Sequence, residues 1–170
     1  MIDVETLIAR ESIRDALARY CRGIDRSDSA TVAAVFHEGA PCHYGNMETT
    51  GDALARMIAG RPGTTDFTGQ HHITNVLIDM DGAEAAQVES YFIVYRAVAG
   101  SNGAADTMIP FGGRYLDRFT RVGGAWRIAE RTVVCDWLST GLALAGGADP
   151  SGYLRGTNGS DDPSHAFRIN

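Results

Sequence analysis

Two adjacent histidines, His71 and His72, open a stretch rich in β-branched and apolar residues that runs to Met80. Neutral imidazole is the usual side chain for taking a proton from carbon near neutral pH. Neighbouring strand residues point to opposite faces, so the two rings cannot share a metal ion. No spaced set of histidines and carboxylates offers a metal site elsewhere. A base of this kind needs helpers. A carboxylate on the second ring nitrogen fixes the tautomer and stabilises the imidazolium. A phenol such as Tyr44 donates a hydrogen bond to a carbonyl or a leaving hydroxyl. An arginine such as Arg131 holds developing negative charge. Read alone, these residues leave other uses open. Asp25 sits at the edge of a helical stripe, as a solvated helix-end acid would. Arg131 could pair with Glu130 or Glu89 on a sheet surface. His71 fits a core, a surface or a site, while His72 reads as outward-facing and His37 and His43 as structural or exposed.

Other motifs explain themselves without chemistry. Asp79-Met80-Asp81-Gly82 resembles a fragment of a calcium loop, but the remaining ligands are missing and a hairpin turn at Asp81-Gly82 explains it better. There is no Gly-rich phosphate loop and no Gly-x-Ser-x-Gly elbow. The three cysteines, Cys21, Cys42 and Cys135, form no paired spacing and read as reduced thiols.

The elements that would position these groups follow from periodicity. Apolar residues at Ile13, Leu17, Tyr20, Cys21 and Ile24 have helical spacing, with Asp3 to cap the start. Gly23 and Arg26-Ser27-Asp28 weaken the end of that helix. A second helix is expected over Ser29 to His37. A short extended piece follows around His43-Tyr44, then a third helix capped by Thr50 and ended by Gly60 to Gly63. From about Phe67 the pattern becomes extended. Strands are expected over His71 to Met80, Ala86 to Val98, Met108 to Val122 and Trp126 to Trp137. A loop is expected at Gly100 to Ala105, a bend at Gly112-Gly113 and a turn at Gly123-Gly124. Helices first and a strand meander second predict an α+β domain over residues 1–140, with helices on one face of an antiparallel sheet. Residues 141–170, rich in Gly, Asp, Ser and Pro, read as a tail that is loosely ordered or packed on the body.

The chain has 170 residues, enough for one domain with its own core. Its net charge of −6 argues against a nucleic-acid backbone or an anionic membrane as main partner. The N-terminus lacks a secretory pattern and no apolar stretch has membrane-spanning length, so a cytoplasmic protein is expected. The apolar density of Tyr91 to Val98 and Thr132 to Trp137 is high for strands with one face in water. It predicts a homodimer or homotrimer.

Several of these segments resemble SnoaL-like proteins of the nuclear transport factor 2-like superfamily. Arg19 to Asp28 is similar to their first-helix motif, as are Val35-Phe36-His37 and Tyr44. Gln70 to Asn75 resembles their histidine strand, and Gly113 to Phe119 with Gly124 to Ile128 their closing hairpin. The resemblance spans about Ile13 to Trp137. It implies a cone-shaped curved sheet packed on three N-terminal helices and enclosing an apolar pocket. It also implies catalysis without cofactor or metal on a small apolar cyclic molecule. Residue by residue, Asp25 and His71 match the acid–base dyad of the family's dehydratases and dehydrochlorinase. Tyr20 and Tyr44 match tyrosines of the bile-acid enzyme, Arg131 a pocket arginine, and Tyr115 a pocket-lining position. A second pocket histidine found in scytalone dehydratase has no counterpart here, and Tyr95 is the nearest candidate for its place. The implied function is a cofactor-independent lyase or isomerase; a non-catalytic binding or assembly subunit is the alternative.

Overall fold

A computed structural model describes residues 2–60, 69–98, 107–139 and 142–143. Helix α1, Val4–Asp25, starts where the Asp3 carboxylate accepts the Thr6 N–H at 2.7 Å. Its buried stripe, Ile13, Leu17, Tyr20, Cys21 and Ile24, is the one the spacing predicts. The helix runs through Gly23 rather than fraying there. Gly23 lies so close to Val32 that a Cβ would sit 2.8 Å from its methyl, so this glycine is a packing contact with α2. Helix α2, Ser29–Ala34, is shorter than expected. The chain leaves it at Val35 because Val35 and His37 exchange backbone hydrogen bonds with Ile128 of the sheet. Helix α3, Gly51–Ala59, is capped by the Thr50 hydroxyl and closes at Gly60.

Among the described residues seven strands form one curved, unclosed sheet. They are β1 (Pro41–Tyr44), β2 (Met47–Thr50), β3 (Gly69–Asp81), β4 (Ala85–Val98), β5 (Thr107–Val122), β6 (Ala125–Leu138) and β7 (Leu142–Ala143). Six follow the order β2-β1-β6-β5-β4-β3, and β7 pairs with β5. Among the described strand pairs only β1–β6 is parallel. The expected turns stand at Gly82 (φ 71°) and at Gly123-Gly124 (φ 60° and 84°), left-handed conformations that glycine adopts without strain. α1 packs on β3 and β6, and Ile13, Leu17, Phe92, Phe119 and Ile128 fill the space between. The expected loop at 100–105, the segment 61–68 and nearly all of the tail lie outside the described residues.

Two irregularities shape the inner face. The β5–β6 register slips between Gly112 and Gly113, where a Cβ on Gly113 would meet the Val134 carbonyl oxygen at 1.9 Å. Only glycine permits that approach. The β3–β4 register slips between Ile73 and Val76, so Thr74 and Asn75 together face Tyr91. That bulge reverses the parity of β3. His71 and Ile73 point inward on one side of it, and Val76, Ile78 and Met80 on the other. A regular strand that buried Ile78 would turn His71 outward.

Candidate functional site

The inward turn of His71 brings its ring to the C-terminal end of α1. Asp25 lies four residues after Cys21, in line with the buried row of the helix, and is not a solvated helix-end acid. Its side chain is only 10% exposed and that of His71 14%. The turn that follows holds Asp25 in place. Ser27 takes a left-handed conformation (φ 53°), the Asp28 N–H bonds the Gly23 carbonyl, and Arg22 reaches the Asp28 carboxylate.

The carboxylate grips His71 at two points. His71 Nδ1–H donates to Asp25 Oδ1 at 2.5 Å, and the His71 backbone N–H donates to Oδ2 at 2.9 Å. The backbone bond locks the carboxylate plane, and the ring bond then fixes Nδ1 as the protonated nitrogen. Nε2 is left for the cavity that His71 lines.

That cavity has a volume of about 210 Å³. Asp25, His71, Tyr20, Tyr44 and Arg96 supply its polar wall, with Ile24, Met47, Leu54, Met57, Gly69, Val94 and Phe111 around them. The Tyr20 and Tyr44 hydroxyls share a hydrogen bond at 2.8 Å. Burial raises both phenols above their ordinary range, Tyr20 well above, and the Arg131 charge pulls each back. Both therefore stay protonated and able to donate. The buried thiols are silenced in the same way: burial pushes Cys21 up to about 12 and Cys42 up to about 11, too high for a nucleophile.

Three of the residues named from the sequence do not reach the cavity. Tyr95 points from the outer face of the sheet, 38% exposed, edge-on to His72. It is one pleat step out of phase with Val94, which faces His71. Tyr115 is buried beneath the cavity, stacked on Phe92 and edge-on to Tyr20. Arg131 is fully buried as well; it does not line this cavity, and it pairs with neither Glu130 nor Glu89. Its guanidinium makes a two-point bond to Asp117 at 2.7 Å each and lies between the rings of Tyr20 (4.2 Å) and Tyr115 (4.1 Å). Burial pushes the Asp117 carboxyl up while Arg131 pulls it down, and Asp117 holds Arg131 charged well above its ordinary value. The two short bonds mark an ionised pair. Its Nη1 has no hydrogen-bond partner among the described residues.

The sequence reading missed Arg96 and the apolar wall. Arg96 stands opposite Gly69, two residues along β4 from Val94, and so shares the inner face with His71. Strict alternation from Phe92 through Val94 carries that signal. His37 and His43 lie elsewhere, the first on Thr120 and the second between Glu48 and Glu130. Among the described residues no group of histidines, cysteines and carboxylates could hold a metal ion, and no helix is long and apolar enough to cross a membrane.

Comparison with known proteins bears on this geometry. The model of a SnoaL-like domain matches residues 5–132. No curated protein matches the chain. Among solved structures, a putative scytalone dehydratase from Novosphingobium aromaticivorans superposes with a TM-score of 0.68 at 22% identity, over 85% of this chain and 98% of that one. A type 2 hexachlorocyclohexane dehydrochlorinase superposes at 0.72 and 19% identity, over 88% and 99%. A variant of Rv3472, a protein of unknown function from Mycobacterium tuberculosis, is 27% identical, with a TM-score of 0.63 over 78% and 74%.

Proposed function

Because the chain belongs to the SnoaL-like domain family, we propose that it is a cofactor-independent lyase or isomerase that removes a proton from carbon in a small apolar molecule. The observation that carries this reading is the Asp25–His71 pair, held in one tautomer at the wall of an open cavity. His71 Nε2 takes the proton from a carbon next to a carbonyl. The electron pair of the broken C–H bond moves onto the carbonyl oxygen as an enolate. The Asp25 carboxylate stabilises the imidazolium that results. Tyr44, accepting from Tyr20, turns its own O–H toward the enolate oxygen or a departing hydroxyl. In an elimination the enolate then expels the leaving group, and a departing hydroxyl takes the proton back from the His71 imidazolium and leaves as water, which restores the base. In an isomerisation His71 returns the proton to a different carbon. The scytalone dehydratase and dehydrochlorinase names among the structural neighbours fit this class of chemistry. The cavity also favours it over a non-catalytic assembly subunit, which needs no cavity beside a buried dyad.

The test is a screen of ring ketones and hydroxyketones in deuterated water, read by mass spectrometry. We expect deuterium at the carbon next to the carbonyl, or loss of water, in reactions with the wild type. Exchange no faster than the buffer background across the panel would overturn the reading.

We also propose that copies associate through the outer sheet face as a homodimer or homotrimer. Leu77, Tyr91, Tyr95, Leu116 and Trp137 are all exposed there, a large apolar set for a face in water. Light scattering at micromolar concentration should give a multiple of the chain mass of 18.2 kDa, and a monomer mass would refute it.

A further inference from the structure

The dimensions of the cavity say more about its occupant than its polar wall does. A closed apolar cavity of about 150 Å³ holds one benzene molecule, and sites for drug-sized ligands start near 300 Å³. At about 210 Å³ this cavity lies between them. It has room for one ring and a short substituent, and not for a fused multi-ring skeleton. Its chemistry is also mixed. The Asp25–His71 pair and the tyrosine hydroxyls hold one part of the wall. Met47, which faces Tyr44 across the β1–β2 pair, and Met57, on α3, also line the cavity. Both are among the exposed large apolar residues, 37% and 52%, so they stand where the cavity opens to solvent. Methionine is unbranched, turns about three bonds and carries a polarisable sulfur that favours ring edges. Two such side chains at an opening close over a flat ring and resist a longer one.

We propose that the site selects a flat, single-ring carbonyl compound, and that Met47 and Met57 form the lip that sets its upper size. The carbonyl rests on the functional reading above; the size limit does not. A ketone oxygen would sit at Tyr44 and the far edge of the ring between the two thioethers.

The chain has five methionines, so labelling their methyl groups with carbon-13 gives a simple NMR reporter of the lip. The probes are acetophenone, 2-acetylnaphthalene and 2-acetylphenanthrene, with one, two and three fused rings. Acetophenone should shift the Met47 and Met57 methyl signals and leave that of Met80, which packs against the core, in place. The three-ring ketone should bind the wild type at least about tenfold more weakly, the scale on which small changes of pocket fit are felt. Met47→Ala and Met57→Ala should each narrow that gap, and neither is buried, so both should fold. Equal affinity for one and three rings, an unchanged gap in both variants, or no binding of acetophenone would each overturn the proposal. Because the assay reads binding, the two readings fail separately. Size-ordered binding without proton exchange would uphold the lip and refute the chemistry.

Discussion

Replacing Asp117 with alanine should lower the stability of the protein by about 3–5 kcal/mol, because it strands the Arg131 guanidinium in a fully buried site. Guanidinium does not shed its proton, so the charge has no way to neutralise itself. For a chain of this length that loss corresponds to about 6–20 °C in melting temperature. Arg131→Met leaves the opposite orphan, and it behaves differently. An unpaired buried carboxyl has a pKa above its unfolded value of about 3.9, so the native state binds that proton more tightly than the unfolded state does. Stability from that group is then present below about pH 4 and is lost as pH rises through the folded pKa. The clean comparison is Arg131→Met against the double variant Arg131→Met/Asp117→Leu. The two should be close in stability near pH 4, with the single variant falling behind as pH rises. The double variant should recover most of what either single change loses, since apolar groups of similar shape replace a buried pair at little cost. Thermal unfolding across pH measures all of this. An Asp117→Ala protein within about 1 kcal/mol of wild type would show that the pair is not held in a dry interior.

That pair also marks where sequence reading ends. The helices and long strands were legible because their apolar spacing and turn residues agree. The Ile13–Ile24 stripe, the Thr50 cap and the glycines at 82, 123 and 124 each specify one local conformation. The site was legible only in part. Tyr20 and Tyr44 reach the cavity together with Asp25 and His71; Tyr20 lies on the helical stripe, whereas the pairing of Asp25 with His71 came from the family resemblance rather than from periodicity. Periodicity alone placed Asp25 in solvent, because a helical wheel contains no strand β3 to cover the last turn. It also carries no sign of the bulge at Thr74-Asn75 that turns His71 inward, since neither residue is a glycine or proline. For Arg131 the sequence offers Glu130 and Glu89 as partners on a sheet surface. Its partner Asp117 stands directly across the β5–β6 ladder, and that register is known only once the strands are paired. Tyr95 and Arg96 were exchanged by one pleat step. The aromatic residue looked like the pocket residue, but alternation from Val94 gives the inner face to the arginine.

Asp25→Asn should cost turnover heavily while leaving the fold intact, and the reason lies in the two bonds that Asp25 accepts. The His71 backbone N–H and the ring Nδ1–H both point at one carboxylate. An amide at this position has one accepting oxygen and one donating nitrogen. The backbone N–H cannot become an acceptor, so it claims the oxygen. The amide NH₂ then faces Nδ1, which must give up its hydrogen to accept. The proton moves to Nε2, the nitrogen that faces the cavity, and the base is blocked by its own hydrogen. We expect a loss of roughly 10²–10⁴ in kcat, with little change in substrate binding. His71→Ala should lose a similar factor by removing the base outright, and combining the two changes should add little, because both abolish one function. NMR of nitrogen-15 labelled histidine reads the tautomer directly, without a substrate. Nδ1 should carry the hydrogen in the wild type and Nε2 in Asp25→Asn. A substrate found by the deuterium screen then supplies the kinetic arm. Turnover at the wild-type rate in both Asp25→Asn and His71→Ala would remove the pair from the mechanism, whatever the tautomer.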